Sequence, residues 1–347
     1  MTDMHRRRRA ALLPILAILA IAGCTPTPTP EPTTAHPSTE PTTQAPTVEP
    51  AVAPEVAFDL PCDDVQHGMI ELFGIPSAPV TERLRLEESP NWYPGPAQYM
   101  FRRAGGVVCA YDDGEAAWQL TATPHAQAIL DDLDANGYTD HEQSSQCNPG
   151  RCTLVVRAGD VLIEATLQDP ALTEADLDRT REIVVALAQQ AEASATEVEV
   201  VPSAIAGVRC DQILPAEELA AAWDVPAQIQ SEFGGWGVPA SVYWNVDGAM
   251  ACIYNERPGD YEGEYYLTLT TLPDGRWAST LPQGRTAVEV DGADAAYSGE
   301  DDYYEDLPFV DVVVGDDWVR ISAPGRSIEE ALLVAPLIAA HMTGLGS

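Results

Sequence analysis

The sequence of 347 residues contains no lysine, and all 18 of its basic side chains are arginine. Without lysine the chain cannot form the Schiff base on which pyridoxal-phosphate enzymes depend. It also cannot supply the lysine of a phosphate-binding P-loop, of a protein-kinase strand or of the Ser-x-x-Lys motif in penicillin-binding enzymes. Composition alone therefore excludes these classes of enzyme.

Positive charge is scarce as well, since 54 Asp and Glu residues give a formal net charge of -36 at pH 7. The affinity of proteins for nucleic acid depends on cationic contacts to phosphate, so a chain this acidic predicts no nucleic-acid partner. Anionic lipid headgroups would repel it for the same reason. Any membrane attachment is therefore expected to depend on a lipid rather than on charge.

Recognisable catalytic and metal-binding motifs are missing too. No two histidines have the spacing of a His-x-x-x-His zinc site, and there is no Gly-x-Ser-x-Gly nucleophile elbow. The acidic stretch SGEDDYYEDLPFVD (298–311) lacks the spacing of a calcium-binding EF-hand, and we interpret it as a solvated loop. We predict a protein without enzymatic activity, cofactor or metal site. A hydrolase with a dispersed catalytic set stays open as the alternative, because triads are defined by geometry.

The N-terminus has the pattern of an export signal. Four arginines at 6–9 precede 14 uncharged residues, AALLPILAILAIAG at 10–23. A membrane-spanning helix needs roughly 20 residues, so this layout is typical of a signal peptide. The stretch ends in Ile21-Ala22-Gly23-Cys24, which resembles the lipobox of bacterial lipoproteins. The resemblance implies a signal peptide over 1–23 and a palmitate-bearing lipid on Cys24. It places the protein on the extracytoplasmic face of the cell membrane.

The composition of residues 24–57 predicts a disordered stalk, because nine prolines and nine threonines occur within 25–57. A segment of this composition cannot bury a core and favours the extended polyproline II conformation. We therefore expect it to hold a folded part away from the membrane. Threonine beside proline also suits O-glycosylation, which stays open, as does export by the twin-arginine route.

The remainder of the chain contains two similar stretches, QYMFRRAGGVVCAYDD (98–113) and SVYWNVDGAMACIYNE (241–256). When the two stretches are aligned, they share a glycine, a cysteine and a tyrosine at matching positions. Each stretch predicts a strand, a tight glycine turn and a second strand. Upstream of each stretch, a Cys-Asp pair begins an amphipathic helix. Downstream, strands at 159–166 and 315–322 lead to closing helices that open with capping-box patterns at Thr173 and Ser327.

We therefore predict an α+β fold with two tandem homologous domains, each an antiparallel sheet with flanking helices. The first domain spans 58–190, a linker spans 191–206, and the second domain spans 207–347. A middle helix is expected at 123–137 in the first domain, from N-cap, N1 and C-cap signals. The corresponding region of the second domain, at 272–292, is expected to be looser.

Six cysteines follow Cys24, and an even number in an exported chain implies disulfides, with fifteen possible pairings. The repeat predicts that Cys62 pairs with Cys109 and that Cys210 pairs with Cys252. Each of these bridges would tie the first helix of a domain to its second strand. Cys147 and Cys152 remain, and they bracket the turn sequence Asn-Pro-Gly-Arg, so we expect them to close the tip of a hairpin.

Behind a lipobox, the pattern Pro61-Cys62-Asp63 with Cys109-Ala110-Tyr111 resembles actinobacterial cell-envelope lipoproteins of uncharacterised function. The second copy, Cys210-Asp211 with Cys252-Ile253-Tyr254, resembles them as well, although Arg209 stands where these proteins commonly have proline. The resemblance implies an α+β domain and assigns no activity. Similar folds serve as sensor domains and as lipid- or ligand-binding lipoproteins, which is an analogy of fold only.

Aromatic side chains in two matching loops rich in glycine and proline, at 91–101 and 233–244, are candidate ligand contacts, although they also suit a cap on the core. These candidates are Trp92, Tyr93, Trp236, Tyr243 and Trp244. We predict a binding, sensing or envelope-organising module whose aromatic loops or interdomain cleft contact a small molecule, a lipid or an envelope protein. A structural or inhibitory partner of another envelope protein is the further alternative.

Overall fold

The computed structural model describes residues 51–85, 95–137, 145–230, 237–257, 264–282, 284–301 and 307–346. Residues 49–347 belong to one compact unit. The described residues contain eight α-helices and two antiparallel sheets, which confirms the mixed α and β character. Cys24 and residues 1–50 lie outside the described residues, so the signal peptide and most of the stalk stay predictions.

We call residues 51–203 the N-terminal half. Its five strands form one sheet in the order β1-β2-β5-β4-β3. The elements are α1 (Cys62–Phe73), a 3₁₀ turn (Pro96–Tyr99), α2 (Met100–Arg103), β1 (Val107–Asp112), β2 (Ala117–Thr123), α3 (Ala126–Ala135), β3 (Gln146–Asn148), β4 (Arg151–Ala158), β5 (Val161–Gln168) and α4 (Leu177–Ser194).

We call residues 204–346 the C-terminal half. Its seven strands form a second sheet in the order β6-β7-β8-β12-β11-β10-β9. The elements are α5 (Cys210–Ile213), α6 (Ala216–Trp223), β6 (Gln228–Gln230), α7 (Val238–Ser241), a π-helical turn (Val242–Val246), β7 (Ala251–Asn255), β8 (Tyr265–Leu272), β9 (Thr286–Ala287), β10 (Ala295–Glu300), β11 (Pro308–Val314), β12 (Asp317–Ser322) and α8 (Ile328–Leu345).

The two sheets share a five-strand order. In space, β1-β2-β5-β4-β3 corresponds to β7-β8-β12-β11-β10, and the chain visits the matching strands in the same sequence. An isolated bridge between Thr81 and Ala110 lies beside β1 where β6 lies beside β7. The helix α3 connects β2 to β3, whereas the described residues between β8 and β10 contain no α-helix. The middle helix of the first half therefore has no α-helical counterpart in the described part of this region of the second half.

Each sheet buries both of its faces, because side chains on a strand alternate between them. On β5, Val161 and Ile163 face the outer helices α1 and α4, while Leu162 joins a different cluster on the inner side. On β11, Val310 faces the outer helix α8, and Val313 lies on the inner side. Both inner faces therefore need a cover that the outer helices do not supply.

The helix α8 has the length and hydropathy to cross a membrane, and it is the one described helix that does. It packs along β11 and contacts α6. Six of its side chains are buried in the core of the C-terminal half: Ala331, Val334, Ala335, Ile338, Ala339 and Met342. In this fold, α8 is therefore a core helix. It runs through Pro336 without a break in the helix, and Ser327 and Glu330 form the predicted capping box.

All three predicted disulfides are confirmed. The bridge between Cys62 and Cys109 joins α1 to β1, and the bridge between Cys210 and Cys252 joins α5 to β7. A third bridge joins directly opposite residues of β3 and β4, Cys147 and Cys152. The first two bridges occupy matching places in the two halves. The alignment of the two stretches predicted these places.

The two predicted glycine-turn hairpins are wrong, because helical turns rather than strands precede both glycines. Pro96 and Pro239 stand in the first turns of these segments, where a fixed φ and a missing N–H favour a helix start. Consecutive buried side chains follow each proline, and such a run does not alternate as a half-exposed strand would. Gly105 (φ 78°) and Gly248 (φ 61°) then follow the helical segments in the left-handed region, as glycine does at helix ends.

Smaller differences concern boundaries. The middle helix α3 begins at Ala126, after His125 in the left-handed region, rather than at 123. The fold also includes the end of the predicted stalk, since the Ala57 N–H donates to the Gly105 carbonyl at 2.8 Å. The Ala57 carbonyl in turn accepts from the Thr196 N–H at 2.6 Å. Residues 51–57 are therefore attached to the folded part rather than standing apart from it.

Removing the long-range bridge should cost more stability than removing the short-range one. The Cys62→Ser/Cys109→Ser variant opens a loop closed over 47 residues, and we expect it to lower the free energy of unfolding by about 4 kcal/mol. The Cys147→Ser/Cys152→Ser variant opens a separation of 5 residues, for which the same loop-entropy relation gives about 2 kcal/mol. Denaturant unfolding of both variants measures the two losses of unfolding free energy. Equal losses in the two variants would contradict this order.

Candidate functional site

The two halves meet through one helical segment from each. The 3₁₀ turn Pro96–Tyr99 lies against β8 and β12 of the second sheet, and the π-helical turn Val242–Val246 lies against α2 and α3. Buried apolar side chains from both halves, including Phe101 and Ile129 from the first and Val242 and Tyr243 from the second, form one cluster. Each half therefore covers the inner side of the other.

A buried contact between an arginine and an aspartate links these segments. Arg103, at the end of α2, and Asp247, after the π-helical turn, have side chains exposed by only 2% and 0%. Their Nη1 and Oδ1 atoms are 3.6 Å apart, which is close enough for an ion pair when Asp247 is ionised but too long for a hydrogen bond. The other guanidinium nitrogens of Arg103 donate to the carbonyls of Pro273 and Val201. Burial raises the pKa of Asp247 well above its ordinary value of 3.8, although Arg103 opposes the rise.

Aromatic rings from both halves meet beside this pair of segments. The ring of Tyr99 lies 5.8 Å from that of Trp277 and 5.9 Å from that of Trp318, measured between centroids. All three side chains are buried. Neither the Trp277 indole N–H nor the Tyr99 hydroxyl has a hydrogen-bond partner among the described residues. Two buried donors are thus left unused within the described part of the chain.

Behind Tyr99, Asp311 of β11 holds two arginines on the inner face of the second sheet. It accepts from Nε and Nη2 of Arg320 at 2.7 and 2.9 Å, and from Nη1 of Arg285 at 3.1 Å. The Trp318 indole N–H also donates to Asp311, at 2.9 Å. The guanidinium of Arg320 lies 3.7 Å from the ring centroid of Phe309. A charge-assisted, bidentate contact of this kind fixes the guanidinium planes.

Gly95 makes the approach of the N-terminal half to this cluster possible. Its φ of 112° is one that other residues rarely adopt, and a Cβ at this position would lie 2.6 Å from the Arg320 Nε. The backbone before the 3₁₀ turn therefore lies directly on the guanidinium. A side chain at position 95 would force the first half away from the second sheet.

A cleft of about 1020 Å³ opens between the halves, a volume at the upper end of small-molecule sites. Residues from both halves line it: 51, 53, 56 and 58–62 from the N-terminal segment, 81–83, Tyr99, Arg102, 106–108, and Trp277 with 280–282. A smaller cleft of about 310 Å³ adjoins it and shares Thr81 and Arg83. The larger cleft is the candidate functional site.

The cleft contains two arginines without an acidic partner. No ion pair or side-chain hydrogen bond joins Arg83, which is exposed, or Arg102, which is half-buried, to another described residue. Two exposed carboxylates, Asp59 and Glu82, also line the cleft. Burial raises the pKa of Tyr99, and the charges of Arg83, Arg320 and Arg285 oppose that rise. Tyr99 therefore lies in a locally positive field within an acidic protein.

None of the five aromatic residues predicted from the sequence as ligand contacts is among the described residues that line the cleft. Trp92, Tyr93 and Trp236 lie outside the described residues. Tyr243 is fully buried, and its hydroxyl donates to the Thr271 carbonyl at 2.6 Å, so it is a core residue and not a surface contact. Trp244 is half-buried against the same cluster.

Sequence reasoning missed Tyr99, Trp277, Arg83 and Arg102. Tyr99 does belong to the first aromatic loop, and its position beside Pro96 and a buried run was the available signal. Trp277 belongs to the stretch that was predicted only to be loose. Nothing local in the sequence indicates that these residues meet, because they come from distant parts of the chain.

No metal-binding arrangement is visible among the described residues. They contain no group of three His, Cys, Asp or Glu side chains that could hold a metal ion. The described histidines do not line the cleft, and His341 contacts Glu218 at 3.0 Å. Residues 302–306 of the acidic stretch lie outside the described part of the chain.

Comparisons of the chain with protein-family models, with curated proteins and with solved structures find no match. The resemblance to cell-envelope lipoproteins therefore stays a prediction. Function has to be argued from the residues of the cleft and of the interface that forms it.

The buried Asp247 should give a characteristic pH dependence. Because its pKa is raised in the folded state, its stabilising effect is present below 3.8 and lost as the pH rises through the folded-state pKa. Asparagine mimics the protonated acid, so the wild type should lose free energy of unfolding relative to Asp247→Asn between about pH 3 and pH 7. Chemical unfolding of both proteins over this range measures the difference.

Asp113→Asn is the matched control with the opposite sign. Asp113 is exposed and accepts hydrogen bonds from the Ala116 N–H and the Tyr111 hydroxyl, which hold its pKa below the ordinary 3.8. Its stabilising effect is present above 3.8 and is lost as the pH falls. Above about pH 5, the difference in unfolding free energy between the wild type and Asp113→Asn should therefore stay constant, whereas the difference between the wild type and Asp247→Asn should change with pH. A constant difference for both variants above about pH 5 would contradict the assignment of Asp247.

Proposed function

We propose that this protein is an extracytoplasmic lipoprotein, anchored to the cell membrane through Cys24, whose folded part binds a ligand without catalysing a reaction. The observation that carries the proposal is the cleft of about 1020 Å³ lined by both halves. Clefts between domains are preferred places for small-molecule sites. The lipobox, the basic start and the proline-rich segment support the anchored location.

The N-terminal segment connects the anchor to the binding site along the chain. Residues 51, 53 and 56 come from the end of the predicted stalk, and all three line the cleft. Ala57 and Phe58 are buried immediately after them. The polypeptide that follows the stalk is therefore part of the proposed site, and tension or displacement of this segment would alter the cleft.

We further propose that the halves arose by duplication of one α+β domain. The shared five-strand order, the matching disulfides and the matching helical segments support this origin. Each half alone would leave the inner face of its sheet only partly covered, because side chains of both halves form the inner clusters. A duplicated pair covers both faces and creates a cleft at the junction, which is a recurring way for binding sites to form.

The other functions considered have less support. A hydrolase would need a nucleophile and a base within reach of one another in a cleft, and the described residues of this cleft include no histidine or free cysteine. A purely structural partner is expected to show a contiguous apolar surface. Within the described part of the chain, the large apolar side chains that are exposed come from separate segments: Val52, Ile75, Val201, Leu281 and Leu333.

Native mass spectrometry of the lipidated chain, extracted from the membrane of a host that processes lipoproteins, tests the binding function. We expect an adduct of defined mass on the wild type. Thr280→Trp should abolish it, because Thr280 is exposed and lines the cleft, so an indole there fills the space. Ile75→Trp is the matched control at an exposed position outside the cleft.

An adduct that survives in both variants would contradict the assignment of the cleft, and a bare wild type would contradict a retained ligand. The anchor is tested separately by Cys24→Ser. This variant should move the protein from the membrane fraction to the soluble fraction. Retention of the Cys24→Ser protein in the membrane would contradict lipid anchoring.

A further inference from the structure

Four side-chain groups that donate hydrogen bonds and have no partner among the described residues line the same cleft. They are the guanidinium groups of Arg83 and Arg102, the hydroxyl of Tyr99 and the indole N–H of Trp277. The last two are buried, and buried polar groups in native proteins nearly always have a partner. Guanidinium and N–H groups donate and do not accept. The group that satisfies this set is therefore an acceptor with several lone pairs.

Charge favours an anionic acceptor at the buried end of the cleft. Tyr99 and Trp277 are buried, and the charges that act on Tyr99 come from Arg83, Arg320 and Arg285, with Asp311 as the opposing carboxylate. The acidic residues of the lining, Asp59 and Glu82, are exposed. An anion beside Tyr99 would form charge-assisted hydrogen bonds while the exposed carboxylates stay in solvent.

Much of the remaining lining is apolar, and it is too extensive for a small inorganic ion. Val56 and Val107 are half-buried in the N-terminal half, and Leu281 is 50% exposed on the opposite half. Ala53 and Pro282, which are also half-buried, contribute further apolar surface. Covering a half-exposed leucine beside a cleft of this volume with an apolar ligand is favourable, because it removes apolar surface from water.

We propose that the cleft binds an amphipathic anion. Its anionic group, a carboxylate or a phosphate, is held by Arg83, Arg102, Tyr99 and Trp277. Its apolar body lies along the surface formed by Val56, Val107 and Leu281. The inference rests on the proposed function, namely that this cleft is a ligand site, and it names the ligand class.

Titration of the lipidated chain in detergent-free nanodiscs, followed by tryptophan fluorescence, tests the ligand class with four probes. These are palmitate, palmitoyl lysophosphatidic acid, monopalmitoylglycerol and inorganic phosphate. We expect the two anionic amphiphiles to bind about tenfold more tightly than the neutral one, because one additional charge-assisted hydrogen bond strengthens binding by about that factor. Inorganic phosphate alone should not bind. The tighter of the two anionic amphiphiles identifies the head group.

Variants separate the head-group contacts from the apolar ones. Arg83→Gln and Arg102→Gln should each lower the affinity for the anionic amphiphiles by about tenfold and leave the affinity for monopalmitoylglycerol unchanged. Glu82→Gln should raise the affinity for the anionic amphiphiles, because it removes a competing carboxylate from the lining. Arg181→Gln is the matched control, since Arg181 is an exposed arginine of α4 outside the cleft and should change nothing.

The outcomes distinguish this inference from the proposed function. Equal affinity for neutral and anionic amphiphiles, or equal effects of Arg83→Gln and Arg181→Gln, would overturn the anionic head group. Binding of none of the amphiphiles by a protein that keeps a different native adduct would overturn the ligand class and leave the cleft as a site. Loss of both the native adduct and probe binding would overturn the proposed function itself.

Discussion

The burial of one helical segment from each half against the other half is the constraint on which the remaining structure depends. Each sheet has two apolar faces, and the outer helices cover only one of them. Helices α2 and α3 cover part of the first inner face, and the cover is completed where the 3₁₀ turn Pro96–Tyr99 meets the second sheet and the π-helical turn Val242–Val246 meets α2 and α3. Because the contact is reciprocal, neither half has a complete core alone. The cleft exists because the N-terminal segment and the loop at Trp277 border the gap that this contact leaves.

The buried charges of the molecule lie on the inner sides of the two halves. Although the chain has few cations, the side chains of Arg103, Arg285 and Arg320 are buried, and each lies beside an aspartate. Buried ion pairs contribute little net stability, because desolvation offsets their attraction, but they penalise any arrangement that separates the partners. The pairs of Arg285 and Arg320 with Asp311 lie within the C-terminal half. Of the three contacts, the one between Arg103 and Asp247 joins the two halves and favours the arrangement in which they meet. Arg83 and Arg102 form no ion pair with a described residue, and both line the cleft.

Local patterns predicted much of the fold. The structure contains the capping boxes at Thr173 and Ser327, the strands near 159–166 and 315–322, and all three disulfides. These features were predicted from short spacings or from the similarity of the stretches at 98–113 and 241–256. The segments before Gly105 and Gly248 were predicted incorrectly, because the glycine turn was given more weight than Pro96 and Pro239, which favour a helix start. Their burial against the other half could not be predicted from local patterns. The cleft residues could not be predicted for a related reason. Tyr99 and Trp277 are far apart in sequence, and only the meeting of the halves brings them together.

Calorimetric unfolding of the mature chain tests the central claim, that the two halves form one cooperative structure, most directly. If the reciprocal contact completes both cores, the halves unfold together, and the calorimetric enthalpy equals the van't Hoff enthalpy in a single transition. If the halves are independent domains that merely touch, two transitions appear, and the van't Hoff enthalpy falls below the calorimetric one. The first result is the one predicted by the shared core, and the second would contradict it.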